Sequence, residues 1–166
     1  NGIMTIVLPH GVLFRGGEEG EIRKNLIEND NIEAIIGLPA NIFFGTGIPT
    51  IIMVLRQKRE ASDVLIIDAS RGFIKEGKNN KLRACDIRKI VDTFVTRQDV
   101  PRYARVVTKE EIRANGYNLN IPRYIQKIDD TLPQNIAAHL KGGIPGTDVD
   151  SLKKLWSIAP ALKQEI

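Results

Sequence analysis

The sequence has little of what secreted, membrane or repeat proteins depend on. Its 166 residues include one cysteine, Cys85, so no disulfide can form within the chain. No apolar run approaches the roughly 20 residues of a membrane-spanning helix, and the first residues show no signal-peptide pattern. Internal repeats and low-complexity tracts are also absent. We therefore expect a protein of a reducing compartment, the cytoplasm, with no membrane partner.

Metal-binding and nucleophilic motifs are equally scarce. The two histidines, His10 and His139, could be joined only by Cys85, whereas a zinc site takes three or four ligands at local spacing. No metal is expected, and His10 is interpreted as a structural residue at a strand end. Cys85 lacks the His or Asp partner pattern of a catalytic nucleophile.

The chain is basic, with a formal net charge of +4 and an isoelectric point of about 9.3. This charge is compatible with a polyanionic partner. The positive side chains are spread in small groups, however, and an ordinary solvated surface also explains that scatter.

The most informative stretch is residues 33–57, where two continuous apolar runs flank a glycine-rich loop. Short β-branched runs bounded by Gly and Pro fit strands, and continuous apolar character indicates strands covered on both faces of an α/β sheet. The loop carries Phe43 and Phe44, and loops at strand ends are where α/β enzymes usually handle substrates. Its spacing is not that of a P-loop. We therefore assign loop geometry to Gly45, Gly47 and Pro49.

The remainder of residues 1–70 predicts an incomplete sheet. Residues 3–8 and 63–68 predict strands, and residues 18–29 predict a helix between them. We expect Ile22, Leu26 and Ile27 to face the core and Arg23 and Lys24 to face solvent. A strand–helix–strand unit predicts a right-handed parallel crossover, and the loop at 39–48 permits an antiparallel pair after it. Half of a doubly wound sheet is the expected description, with the missing half upstream.

The second part is less apolar. Residues 72–81 are expected to be exposed and flexible, and residues 82–97 predict a helix whose buried face holds Ile87, Ile90, Val91 and Phe94. Residues 103–107 predict a strand, and Thr108 with Glu111 predicts a capping box opening a short helix. Residues 117–124 are expected to be extended because Pro122 disfavours helix. Two further helices are expected at 134–141 and 148–166.

Several strings in this order resemble one known family, the modification (M) subunit of type I DNA restriction–modification systems, which is an adenine-N6 DNA methyltransferase. The matching strings are residues 6–15 (IVLPHGVLFR), 19–24 (EGEIRK), 34–50 (AIIGLPANIFFGTGIPT), 63–71 (DVLIIDASR), 87–93 (IRKIVDT), 117–124 (YNLNIPRY) and 138–145 (AHLKGGIP).

The resemblance implies an α/β fold: the back half of a Rossmann-like class I methyltransferase sheet, followed by a helical C-terminal tail. We divide the chain into the catalytic-domain half (1–72), a helix and strand extension with the NLNIPRY strap (73–130), and a helical segment (131–166). The family uses S-adenosylmethionine and an Asn-Pro-Pro-aromatic motif, and neither the cofactor motif nor the tetrapeptide occurs here. We therefore expect a C-terminal fragment that is inactive alone, with no catalytic residue of its own.

The resemblance also implies site residues. Methylation inside a duplex requires a flipped base held by stacking, and the family places an aromatic residue on this loop, which makes Phe43 the first candidate and Phe44 the second. The alternative is that both rings fill the core under the loop. Candidates for DNA phosphate contacts are Arg15, Arg56, Lys58 and Arg59.

The implied partners are DNA, the specificity (S) subunit that reads the sequence, and the restriction (R) subunit. Two sets of residues are candidates for subunit contacts, and for each the alternative is packing onto this chain itself. They are Tyr117, Asn118, Leu119, Asn120, Ile121, Pro122, Arg123 and Tyr124 in the strap, and Leu152, Leu155 and Trp156 in the tail. A non-catalytic assembly module and another α/β nucleic-acid-binding domain remain alternative functions.

Overall fold

A five-stranded mixed sheet forms the centre of the computed structural model, which describes residues 2–125. The strands are β1 (Ile3–Pro9), β2 (Ile32–Gly37), β3 (Thr50–Arg56), β4 (Val64–Asp68) and β7 (Ala104–Val107), in the order β1-β3-β2-β4-β7. β3 is antiparallel to both β1 and β2, β2 is parallel to β4, and β7 is antiparallel to β4. The carboxyl ends of β1, β2 and β4 therefore share one edge with the beginning of β3.

Helices cover both faces of this sheet. On one face α1 (Glu18–Glu28), α3 (Lys109–Ala114) and the short α4 (Pro122–Ile125) surround a core that includes Ile35 and Ile66. On the other face α2 (Ala84–Thr96) packs over Ile36 and Ile67. Burial on both faces explains why β2 and β4 are continuously apolar, and it confirms that prediction. The antiparallel β2–β3 pair is present, and β1 and β2 point the same way with β3 between them.

Two helices bury only part of the face expected: Leu26 and Ile27 of α1 and Ile90 and Phe94 of α2 pack on the core as predicted, but other residues do not. In α1, Ile22 is 61% exposed and Arg23 is only 6% exposed, so the predicted orientation of these two side chains was wrong. In α2, Ile87 and Val91 are half exposed, whereas Thr93 is buried beside Phe94. Thr93 can be buried because its hydroxyl donates to the Lys89 carbonyl at 2.7 Å.

Residues 72–81 contain a β-hairpin that the sequence did not predict, and most of the segment is exposed, as expected. Strands β5 (Ile74–Glu76) and β6 (Asn79–Lys81) pair as an antiparallel hairpin. Its turn contains Gly77 at φ +64°, a conformation that glycine adopts at little cost.

The end of the described chain confirms one boundary and corrects another. The Thr108 hydroxyl accepts a hydrogen bond from the Glu111 N–H at 3.3 Å, which caps α3 as predicted. Pro122 begins α4 instead of preventing a helix, because the first helical position needs no N–H donor. The helices expected at 134–141 and 148–166, with Leu152, Leu155 and Trp156, lie outside the described residues. Within residues 2–125, every helix is too short or too polar to cross a membrane.

Candidate functional site

A cavity of about 220 Å³, the edge cavity, opens where the carboxyl ends of β1, β2 and β4 meet. Its lining includes His10 after β1, Thr50 at the start of β3, Asp68 at the end of β4, and Arg71. Ligands of α/β proteins bind at this edge of the sheet, because loops from several strands converge there. The edge cavity is therefore the candidate site.

The polar groups of the edge cavity differ in their charge and in their hydrogen bonding. Burial lowers the pKa of His10, and the nearby Asp68 carboxylate only partly opposes this shift, so the imidazole is neutral at neutral pH. The Asp68 carboxylate accepts a hydrogen bond from the Ser70 N–H at 3.1 Å. The Thr50 hydroxyl is buried and has no hydrogen-bond partner among residues 2–125. A buried hydroxyl without a partner costs about 1–3 kcal/mol, so Thr50 would gain from a polar ligand in the cavity.

The loop from residue 38 to residue 49, the aromatic loop, joins β2 to β3 at the same edge. Phe44 is 93% exposed and Phe43 is 41% exposed, so the alternative that both rings fill the core is wrong. Gly45 has φ +78°, which favours glycine, and a Cβ atom at Gly47 would lie 3.1 Å from Asn41 Oδ1. The loop therefore projects two phenyl rings, and two glycines fit its geometry.

The β5–β6 hairpin supports the aromatic loop. The Asn80 side chain donates from Nδ2 to the Ala40 carbonyl at 2.6 Å, and the Asn80 N–H donates to the Asn41 carbonyl at 2.8 Å. Sequence reasoning missed this residue because it treated the segment as flexible.

Three of the four predicted phosphate contacts lie at the opposite edge. Arg56 is the last residue of β3, and Lys58 and Arg59 follow it, whereas the aromatic loop precedes β3, whose seven residues span about 20 Å. The Arg59 side chain is 5% exposed and donates to the Ile32 and Asp63 carbonyls, so its assignment as a phosphate contact was wrong.

The remaining candidates differ in their availability. Arg56 pairs with Glu33 at 2.7 Å, and the Lys58 side chain is exposed at that same edge. Only Arg15, which follows β1 and lies 3.7 Å from Glu19, is at the edge of the aromatic loop.

The strap at 117–124 lies over its own chain. Leu119, Ile121 and Tyr124 are buried in the core, and the Tyr124 hydroxyl donates to the Asn118 carbonyl at 2.6 Å. These three side chains are therefore corrected from subunit contacts to core residues. Pro122 and Arg123 are exposed, and Tyr117, Asn118 and Asn120 are half-buried.

The part of the chain that the structure describes contains no group of three His, Cys, Asp or Glu side chains arranged to hold a metal ion. Cys85 is an exposed thiol in the first turn of α2.

An α/β sheet with a cavity and a projecting loop at the carboxyl ends of its strands defines a ligand-binding α/β domain of the kind that enzymes use. The family model described as N-6 DNA Methylase matches residues 1–131. The chain belongs to this N-6 DNA methylase family.

Named relatives agree with this assignment. The chain is 38% identical over 125 residues to the type I restriction enzyme MpnII methylase subunit of Mycoplasma pneumoniae, and 41% identical over 131 residues to the MjaVII methylase subunit of Methanocaldococcus jannaschii. Each match covers 75% of this chain and 23% of the relative, so the chain spans about a quarter of their length.

A solved structure gives the same result. The type I restriction–modification methyltransferase subunit of Streptococcus thermophilus superposes with a TM-score of 0.74 at 51% identity. The match covers 75% of this chain and 27% of that one.

Proposed function

We propose that this chain is the C-terminal part of a type I modification subunit and contributes to S-adenosylmethionine-dependent N6-methylation of adenine in DNA. The observation that supports the proposal is the aromatic loop, which exposes two phenyl rings and whose ends, Leu38 and Pro49, line the edge cavity. Exposing large apolar rings to water is unfavourable, and a flipped base offers a flat apolar surface to cover them.

In this proposal the extruded adenine stacks on Phe43, or on Phe44, at the mouth of the edge cavity. Stacking of a base on an aromatic ring contributes about 1–3 kcal/mol. Base extrusion costs a few kcal/mol, so one ring can offset a large share of that cost. The buried Thr50 hydroxyl and the neutral His10 are among the polar groups that line the cavity and could bind such a base.

The finer fold proposal is that this sheet is one half of a Rossmann-like methyltransferase sheet. Strand β1 is an edge strand of the described sheet, and Ile3, Met4 and Val7 on it are about half exposed. Apolar side chains on an open edge strand favour pairing with another strand. The greater length of the relatives is consistent with further strands at this edge.

S-adenosylmethionine, which would supply the methyl group, does not fit the described residues as its main site. Glycines follow β1 and β2, but within residues 2–125 none of them has the G-x-G-x-x-G spacing of the turn that cradles an adenosyl cofactor. The methyl donor is therefore assigned to residues outside this stretch, and the chain alone is proposed to be inactive. The further partners proposed are the S and R subunits, in the cytoplasm.

The test is methylation by the complete M and S subunits, with Phe43→Ala, Phe44→Ala and the double variant in the M subunit. We expect transfer of the labelled methyl group to slow roughly 10- to 100-fold when the stacking ring is lost, with S-adenosylmethionine binding unchanged. Val95→Ala, exposed on α2, is the control. Full methylation by the double variant would refute the stacking role, and methyl transfer by this 166-residue chain alone would refute its inactivity.

A further inference from the structure

A second cavity, about 340 Å³ in volume, adjoins the edge cavity, and we call it the basic cleft. It lies between the end of β4, the start of α2 and the segment before β7, and Asp68 and Arg71 line both cavities. Its cationic side chains are Arg71, Arg83, Lys89 and Arg102. A group bound in the basic cleft would therefore be a direct neighbour of a group in the edge cavity.

The two carboxylates of the basic cleft do not cancel this charge. Asp86 already accepts hydrogen bonds from Arg83, at 2.8 Å from Nε and at 3.0 Å from Nη2. Asp68 is the second carboxylate, so the lining keeps a formal excess of two positive charges. Arg71 and Arg102 are both exposed, and within residues 2–125 neither forms an ion pair. Their guanidinium groups are thus free to bind an anion.

The wall of the basic cleft is also organised. The Lys89 ammonium lies 3.8 Å from the centre of the Tyr103 ring, a cation–π contact that holds both side chains in place. Burial, with smaller contributions from Asp86 and Asp68, raises the pKa of Tyr103 to about 12. The phenol therefore keeps its proton at neutral pH and can donate a hydrogen bond.

We propose that the basic cleft binds a phosphate group, with Arg71 and Arg102 as its principal ligands. Guanidinium groups suit phosphate because their N–H donors form paired hydrogen bonds with its oxygens. This inference rests on the proposed function: the phosphate would be the one in the DNA backbone next to the extruded adenine. A free phosphate or nucleotide has the same chemistry and is the alternative source.

The experiment titrates the ¹⁵N-labelled chain with inorganic phosphate and, separately, with a short DNA duplex at matched ionic strength. We expect both probes to shift the amide signals of Gly72 and Tyr103, and the duplex to bind more tightly because it presents many phosphates. Anisotropy of a labelled duplex, measured over a range of salt concentrations, then compares Arg71→Gln and Arg102→Gln with Lys58→Gln and Arg88→Gln. The controls remove the same charge at the opposite edge and on the outer surface of α2.

Each cleft variant should weaken duplex binding and reduce the slope of log affinity against log salt by about 0.9, the value for one lost phosphate contact. The two control substitutions should reduce both the affinity and the slope less. Equal effects in all four variants, or no shift at the cleft with either probe, would overturn the proposal. If the duplex binds tightly but neither Arg71→Gln nor Arg102→Gln weakens binding, the phosphate site in the basic cleft is refuted and the proposed DNA function is not. If inorganic phosphate binds in the cleft and the duplex binds no more tightly, the phosphate site is supported and the DNA function is contradicted.

Discussion

Replacing Arg23 with methionine tests whether its buried guanidinium stabilises the fold. Arg23 donates from Nε to the Tyr117 carbonyl at 2.7 Å, and from Nη1 to the Val12 and Arg15 carbonyls at 2.7 and 3.0 Å. It thereby joins α1 to the turn after β1 and to the strap. Methionine has similar length but no donor, so three carbonyls would lose their partner. At about 1 kcal/mol for each unsatisfied group, we expect a loss of about 3 kcal/mol, a large share of a typical domain's stability.

Urea unfolding followed by far-ultraviolet circular dichroism measures this loss. The single tryptophan, Trp156, lies outside the described residues, so its fluorescence is not a suitable probe of this region. Arg88→Met is the matched control, because Arg88 is 80% exposed on α2 and its removal should cost less than about 0.5 kcal/mol. Arg23→Lys should fall between the two, since an ammonium cannot reproduce the planar fork. If Arg23→Met unfolds within about 0.5 kcal/mol of the control, the three hydrogen bonds do not stabilise the fold as argued.

Three further predictions concern acid stability, the aromatic loop and strand packing. The Arg113 and Tyr117 hydrogen bonds lower the pKa of Glu28 from 4.5 to about 2, so their stabilisation is complete above 4.5 and is lost as the pH falls towards 2. Glu28→Gln should flatten the fall in urea midpoint over that window, and a curve parallel to the parent's would contradict this. Asn80→Ala should speed chymotrypsin cleavage of the aromatic loop roughly fivefold, for a lost hydrogen bond of about 1 kcal/mol, whereas Asn79→Ala should not. Gly37→Ala should destabilise the chain, because the new Cβ would lie 2.6 Å from Ile121 Cδ1. Ile121→Val, which removes Cδ1, should reduce the loss of stability that Gly37→Ala causes in urea unfolding. An equal loss with Ile121 and with Val at that position would refute the clash.

The strands of this fold are largely predictable from local sequence, because β2, β3 and β4 are apolar runs bounded by polar or Gly and Pro residues. The inward direction of a helix is harder to predict. In the first half of α1 the hydrophobic period favours burial of Ile22, yet Arg23 is buried instead, and its partners include the Tyr117 carbonyl 94 residues away. Helical periodicity contains no information about such a distant acceptor, so only the tertiary structure reveals it.

Only the parts of the candidate site that directly follow a strand could be predicted from the sequence. The place of the aromatic loop at a strand end could be predicted because the loop directly follows a recognisable strand. Asn80 could not, since its acceptors lie 40 and 39 residues earlier, at Ala40 and Asn41, and a short polar hairpin has no strong local signal. Arg71 could have been predicted in the same way as the aromatic loop, because it lies three residues after the carboxyl end of β4.

The direction of β3 decides which cations can reach a ligand at the candidate edge cavity. A basic run directly after a buried strand looks like a phosphate site, and the run at 56–59 fits that description. Since β3 is antiparallel to β2 and its neighbours, however, its carboxyl end lies at the opposite edge, where Glu33 and Asp63 pair with Arg56 and Arg59. β4 is parallel to β2, so its carboxyl end lies beside the aromatic loop and brings Arg71 there. If the proposed function holds, cations that contact DNA at the extruded base therefore follow parallel strands such as β4, or precede antiparallel ones, as Arg102 precedes β7.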